Sequence, residues 1–375
     1  MEILTYYGYG NRRRAYVQGR VLEVRHVSTS TDSDSVFRNL LNTYRRAEAD
    51  PIPFARVCID YAKAKINLTA DDEGFFGGWI DLTEPLASDD EWNSYKVSLV
   101  APVQPEHPTA DGKGEILIPP STARFGVISD IDDTVIQSRV SNFLQAARTV
   151  MLGNARTRLP FPGVAAFYRA LRDGFSGDEK NPIYYVSSSP WNIFDVIAEF
   201  MELQKIPRGP ILLRDWDLGW DFLSSSRHLQ HKIGLIRKIM DLHPELGFIL
   251  IGDSSQHDPE IYRQVVGEFP ERVKAIYIRD VTSGSAERST SVKKLAGEVL
   301  AAGSVLMLAE HTLDAARHAA EQGWIKPESL PEIGEEKKAD EGRDDTKAAA
   351  PAGGKPGPGK PPVVVESPKS ESGRV

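Results

Sequence analysis

Cysteine is almost absent: Cys58 is the single one in 375 residues. That excludes a disulfide framework and any zinc site built on several thiolates, and leaves oxygen and nitrogen chemistry. Long apolar runs are missing as well, since no uninterrupted stretch approaches the roughly 18 residues of a membrane-spanning helix. Residues 1–14 are aromatic and then basic, with no apolar run behind the charges, so they lack the pattern of a secretory signal. The expected location is cytoplasmic, with peripheral contact as the form any membrane association would take. Positive charge is also in short supply. Lys and Arg number 45 against 53 Asp and Glu, for a formal charge of −8, and bulk charge therefore gives no reason to expect a nucleic-acid partner. What is there is globular in composition, 41% hydrophobic and 26% charged, in a length that suits two domains and a tail. No repeat of solenoid type is present.

The last aromatic residue comes before Pro331. Residues 331–375 mix Glu and Lys with Ala, Gly and Pro, and such a segment buries too little apolar area to offset its ordering entropy. The expectation is a disordered tail, its Lys-Pro clusters either a binding element or simply solvated.

Residues 1–120 read as strands. β-branched or alternating runs occupy 15–24, 55–68, 77–82 and 95–103, separated by polar and Gly/Pro turns, and a helix is predicted over 35–48 from the spacing of Phe37, Leu40, Leu41 and Tyr44. Between two of the strands, Thr69-Ala70-Asp71-Asp72-Glu73-Gly74-Phe75-Phe76 reads as an acidic hairpin turn with Gly74 free to adopt positive φ. Its carboxylates are either a calcium loop or a solvated tip. The predicted architecture is a small β-sandwich, and the strand–turn–strand pattern resembles transthyretin-like and carboxypeptidase-regulatory-like modules.

From about residue 121 to 330 the pattern alternates. Apolar runs at 125–128, 183–186, 211–213, 248–251 and 273–278 are separated by stretches able to form helices, such as 191–205 and 231–242. Strands without polar alternation are covered on both faces, which implies a doubly wound, mainly parallel α/β domain. Ligands of such sheets bind beyond the carboxyl ends of the strands. Four runs end there in polar residues: Ser129-Asp130-Ile131-Asp132-Asp133-Thr134, Ser187-Ser188-Ser189-Pro190-Trp191, Arg214-Asp215, and Gly252-Asp253-Ser254-Ser255-Gln256-His257-Asp258.

Three carboxylates within four residues, at Asp130, Asp132 and Asp133, repel one another, and burying them is costly without a cation. Hard oxygen donors with no thiolate or convergent histidines favour Mg²⁺ over zinc. A carboxylate beside that ion can attack phosphorus to form an aspartyl-phosphate, and a side chain two residues on can serve as acid and base.

Asp130-x-Asp132-x-Thr134, the strand-end Ser187, a later lysine and the acidic Gly252-Asp253 to Asp258 segment resemble the four motifs of the haloacid dehalogenase superfamily of phosphotransferases. More narrowly, "SDIDDTV", "YVSSSPWN" and "IGDSSQHDPEIY" resemble the catalytic domain of phosphatidate phosphatases of the actin-patch-protein type, which are related to the lipins. The resemblance covers about 121–325. It implies Asp130 as nucleophile and metal ligand, and Asp132 as general acid/base that also offers a carbonyl to the metal. Thr134 would orient Asp132 or support the loop. Ser187 and Ser188 would bind the phosphoryl group, Lys232 would neutralise charge, and Asp253 would complete the Mg²⁺ site, with Asp258 as an additional ligand or as a support behind the ligands.

Simpler roles compete. Asp133 and Thr134, or Ser187 to Ser189, can act as helix caps. Lys238 competes with Lys232, and His228 and His231 share a helix face without a third ligand. The absence of acidic residues from 135 to 172 is informative. Arg139, Arg148, Arg156, Arg158, Arg169 and Arg172 are interleaved there with Phe143, Leu144, Val150, Met151, Leu152 and Phe161. This is either a flap on an anionic lipid surface or a core-packing segment with snorkelling arginines. Trp191, Trp216 and Trp220 sit either at a polar–apolar boundary or in the core. About fifty residues separate Thr134 from Ser187, too few for a large cap domain, so the crevice is expected to be open to a bulky substrate.

The expectation is a Mg²⁺-dependent phosphatidate phosphatase working at a membrane surface. The alternatives are a phosphatase for a phosphoprotein, nucleotide or nucleic-acid end, or a non-catalytic lipid- or protein-binding module.

Overall fold

The computed structural model describes residues 1–23, 50–102, 110–131, 162–191, 194–214, 225–254, 257–281, 286–345 and 363–364. The helix predicted over 35–48 lies outside them, as do Asp132, Asp133, Thr134, Asp215, Trp216 and Trp220.

The N-terminal half forms β1 (Glu2–Gly10), β2 (Arg14–Leu22), β3 (Arg56–Tyr61), β4 (Ala64–Thr69), β5 (Phe75–Asp81), β6 (Trp92–Ala101) and β7 (Asp111–Leu117). These are not two facing layers. They make one seven-stranded sheet in the order β4-β3-β6-β7-β1-β2-β5, antiparallel except where β1 runs parallel to β7. The sheet curls until its edge strands meet: a Cβ added at Gly78 of β5 would stand 2.5 Å from Leu68 Cδ2 of β4. The predicted sandwich is therefore replaced by a nearly closed barrel, whose interior takes Val17, Val57, Ile59, Phe76, Ile80, Tyr95 and Val97.

Two local readings change with it. The run at 55–68 is a hairpin, with positive φ at Ala62 and Lys63 turning the chain between β3 and β4. The acidic segment is not a hairpin tip, since β4 pairs with β3 and β5 with β2 at opposite edges. It is a corner, shaped by Asp71, whose Oδ1 accepts the N–H groups of Glu73 (3.0 Å) and Phe75 (2.8 Å), with Gly74 at φ 76.

The second sheet has the order β10-β9-β8-β11-β12-β13-β14, from β8 (Phe125–Asp130), β9 (Ile183–Pro190), β10 (Ile211–Arg214), β11 (Gly247–Asp253), β12 (Val273–Arg279), β13 (Leu306–Ala309) and β14 (Val363–Val364). Its first six strands are parallel, and β14 is antiparallel to β13. Helices α1 (Val164–Asp173), α2 (Phe194–Leu203), α6 (Thr312–Glu321) and α7 (Leu330–Asp345) pack on one face; α3 (Ser225–Leu242), α4 (Asp258–Glu268) and α5 (Ala286–Ala301) cover the other. Burial on both faces explains the unbroken apolar runs: all six residues of β8 are buried. What the structure carries here is a parallel α/β sheet; the narrower haloacid dehalogenase-like assignment goes beyond it and is withdrawn.

The disordered-tail reading is corrected in its first part. Residues 330–345 are helical, Ile333 is buried, and Glu336 accepts the Ala166 N–H at 2.6 Å and pairs with Arg169. Propensity and one apolar anchor sufficed because α1 offered a complementary surface. The two halves also pack together. Tyr6 and Tyr9 of β1 enter the α/β cores, and Arg172 Nη2 lies 2.8 Å from Glu91 Oε2.

Candidate active site

From β8 the chain proceeds outward through β9 and β10, then returns to place β11 on the other side of β8. The carboxyl ends of β8 and β11 thus adjoin at the point where the winding reverses, which is where open α/β sheets bind ligands. Their register pairs Ile251 with Ser129, so Asp130 and Asp253 close neighbouring strands.

Asp258 reaches the same place from the first turn of α4. It folds back against β11, where its Oδ2 accepts the Asp253 N–H at 3.1 Å. Gly252 makes this possible: a Cβ there would collide with Asp258 Oδ2 and lie 2.8 Å from its Cβ. A carboxylate oxygen from each of Asp130, Asp253 and Asp258 falls within 4.8 Å of the others, and all three residues are fully buried.

The cation among them is Lys232. It lies within α3 rather than at its start, and its Nζ stands 2.8 Å from Asp130 Oδ1 and 2.6 Å from Asp258 Oδ1. Burial alone would lower its pKa; Asp130 and Asp258 outweigh that and hold it above the ordinary lysine value. Lys238, its rival, is exposed on the same helix. Of the two histidines weighed as metal ligands, His231 is not one of the three converging residues, and the side chain of His228 lies outside the described residues.

Ser187 is buried near the end of β9, one residue past the Val186 that pairs with Asp130, and its Oγ accepts the Ser189 N–H at 3.0 Å. Ser188 is half-buried beside it. The strand continues to Pro190, so the serines lie in the strand, and α2 is described from Phe194. Of the Arg-rich segment only the end is described. Arg169 pairs with Glu332 and Glu336, and Arg172 with Glu91, which commits both to contacts within the chain.

Several supporting groups went unread in the sequence. Arg279 ends β12 directly beside Asp253; burial lowers its pKa and the Asp253 carboxylate opposes that shift. The run at 273–278 ends in Arg279-Asp280, the same strand-end polar signal as the other four. Tyr262 donates to the Ile251 carbonyl at 2.7 Å, pinning α4 to β11. Beneath Asp130, Ser129 Oγ donates to the Asp130 carbonyl at 2.8 Å and lies 2.7 Å from the Tyr168 hydroxyl.

Chemically, three buried carboxylates exceed the charge of one buried lysine. Their donors are all hard oxygens converging within a cation's reach, so a hard divalent ion such as Mg²⁺ fits the residues present. A carboxylate fixed by a lysine at a strand end is also placed to act as a nucleophile.

Comparison with known proteins finds matches over the segment that carries these residues. Residues 125–280 match the family model of the catalytic domain of phosphatidate phosphatase APP1. Phosphatidate phosphatase APP1 of Saccharomyces cerevisiae is 30% identical over 176 residues, which are 47% of this chain and 29% of that protein. An uncharacterized protein of Schizosaccharomyces pombe is 29% identical over 161 residues, 42% of this chain and 26% of that one. The chain thus matches less than a third of the length of these curated relatives. Among solved structures, a carbohydrate acetylesterase from Xanthomonas citri aligns over 78% of this chain and 71% of its own at 10% identity, but its TM-score of 0.24 carries no argument. The matched segment runs from the first residue of β8 to the residue after β12, less than half of the chain, and contains Asp130, Ser187, Lys232, Asp253 and Asp258; over that segment the chain is similar to the catalytic domain of phosphatidate phosphatase APP1.

Proposed function

We propose that this chain is a Mg²⁺-dependent phosphomonoesterase that hydrolyses phosphatidate, or a similar lipid phosphate, to diacylglycerol and inorganic phosphate. The observation that carries the reading is the buried set of Asp130, Asp253, Asp258 and Lys232 at the carboxyl ends of adjoining parallel strands, within the segment that matches the catalytic domain.

Asp130, Asp253 and Asp258 would hold Mg²⁺, which when bound supplies positive charge opposite the phosphoryl oxygens. Lys232, paired with Asp130 Oδ1, offsets the charge of that carboxylate and holds it in one orientation. Asp130 attacks phosphorus; the bond from phosphorus to the glycerol oxygen breaks, and Asp132 gives that oxygen its proton. Asp132 then takes a proton from water, whose oxygen displaces the Asp130 carboxylate and releases phosphate. Ser187 and Ser188 bind phosphoryl oxygens on the side of β9. Phosphoryl transfer needs mainly positioning and charge neutralisation, which these residues supply. No helix among the described residues is long and apolar enough to cross a membrane, so this reading has the substrate met at the bilayer surface.

The test is phosphate release from phosphatidate vesicles and from soluble monoesters, with and without Mg²⁺, by the full chain and by Asp130→Asn. Mg²⁺-dependent release that is fastest on phosphatidate and abolished by Asp130→Asn is expected. Release that survives the substitution would show that another group is the nucleophile.

A further inference from the structure

β1 carries an irregularity. It pairs Tyr6 with Gln18 but Tyr9 with Tyr16, so one extra residue is accommodated between them on the β1 side. In a regular strand, consecutive side chains point to opposite faces. Across this bulge both Tyr6 and Tyr7 reach the same residue: their rings lie 4.3 Å and 5.8 Å from that of Phe194. Bulges re-aim side chains in this way and are over-represented beside active sites.

Phe194 is the first residue of α2, and Trp191 lies just before it. The Tyr6 ring stacks on Trp191 at 5.3 Å with an interplanar angle of 12°, and Trp191 lies 6.0 Å from Phe194 at 28°. Phe75 of β5 adds a third contact to Tyr6 at 6.4 Å, and Arg20 lies over Phe75. Tyr6 is 3% exposed, whereas Trp191 is half-buried. The stretch of β9 that carries Ser187, Ser188 and Ser189 is therefore held from two sides. Upstream, Val186 is fixed in the sheet, where its carbonyl accepts the Ile131 N–H at 3.1 Å. Downstream, the chain is clamped by aromatic rings from the other half of the molecule.

We propose that Tyr6 is a positioning residue for the phosphate-binding segment Ser187–Ser189, acting through Trp191 and Phe194, and that the curled N-terminal sheet is thereby part of the catalytic apparatus. This rests on the phosphatase reading of the site. Aromatic pairs of this kind add stability beyond area burial. Their importance here is geometric, because a displacement of about 1 Å at a reacting centre can reduce rate about 100-fold.

The test uses the full chain, uniformly labelled with 5-fluorotryptophan, the Trp191 resonance being assigned by its loss in Trp191→Phe. Tyr6→Ala is compared with Tyr6→Phe, which keeps the ring, and with Tyr95→Ala, which removes a buried ring from the same sheet away from Trp191; Tyr6→Leu replaces Tyr6→Ala if the latter does not fold. The expected result is a shifted Trp191 resonance and a fall in kcat of about 10- to 100-fold, with KM for a soluble ester changed less than about twofold, in Tyr6→Ala. Neither change should appear in Tyr6→Phe, and Tyr95→Ala should leave the resonance in place. An unmoved resonance, or a kcat no lower than that of folded Tyr95→Ala, overturns the proposal. Failure of the phosphatase reading looks different: the wild type then releases no phosphate from any ester, while the resonance comparison still decides whether Tyr6 holds the segment.

Discussion

Lys232 Nζ lies 2.8 Å from Asp130 Oδ1, with the lysine 3% exposed and the aspartate fully buried. A buried ion pair adds little net stability over a well-packed apolar pair, because both charges lose their hydration. Removing one member, however, leaves the other uncompensated.

Lys232→Met accordingly costs about 3–5 kcal/mol, since it leaves Asp130 and Asp258 as buried like charges. Urea unfolding without added metal should show a lower midpoint and an unfolding free energy reduced by that amount, and phosphate release should be lost. An unchanged midpoint would mean that water reaches the carboxylates.

Gly252→Ala places a methyl group against the Asp258 carboxylate. Overpacking of this type costs about 1–3 kcal/mol. The more specific effect is on cation binding. Mg²⁺ should raise the melting temperature of the wild type and do so much less for Gly252→Ala, as for Asp258→Asn, with the double variant no worse than either single one. Additive losses would show that Gly252 and Asp258 act independently.

His243 sits buried with its Nε2 2.6 Å from the Tyr184 hydroxyl, and burial, reinforced by Arg272, pushes its pKa from 6.5 down to about 3. The unfolded chain then binds a proton that the folded one refuses. Stability is full above the unfolded value and declines as pH falls from 6.5 towards 3, by up to about 1.4 kcal/mol per pH unit from this group. Chemical denaturation between pH 7 and pH 4 should show that slope, and His243→Gln should flatten it. An equal slope in the variant would place the acid sensitivity in the carboxylates.

Glu336→Gln weakens the tie between α7 and α1, in which one carboxylate serves both the Ala166 N–H and Arg169. A loss of about 1 kcal/mol, read by thermal unfolding, is expected. Ending the chain after residue 329 removes Ile333 as well and should cost more. If neither change lowers the melting temperature, α7 is not docked in solution.

Much of the site was legible because strand ends announce themselves. The runs at 125–128 and 248–251 are buried on both faces, so they read as parallel strands, and the polar residues that interrupt them had to lie at the carboxyl edge. Gly252 and Asp258 were visible as a pattern, but the reason for their spacing, a carboxylate folded back on a residue without a side chain, needed coordinates. Asp132 and Thr134 lie outside the described residues, so their roles rest on resemblance. The N-terminal half was less legible. β1 was missed because its bulge breaks the alternation, and β7 because Gly112 and Gly114 interrupt it where Tyr95 and Val97 pack across. Curling of the sheet depends on which edges meet, and no local pattern encodes that. The helix at 330–345 has little amphipathic signal of its own, and the surface that receives Ile333 is built from residues far away in sequence.

The adjacency of β8 and β11 bears on biosynthesis. During translation, a chain that has emerged only as far as β10 carries Asp130 without either of its acidic companions, and β8 then has β9 on one edge while the edge that β11 will pair with stays open. On the proposed reading, the three carboxylates come together late, when the ribosome has released α4, and they do so by insertion of a strand beside one already formed. Such distant pairings are slow to close. A stalled or truncated nascent product lacking β11 should thus be inert rather than partly active.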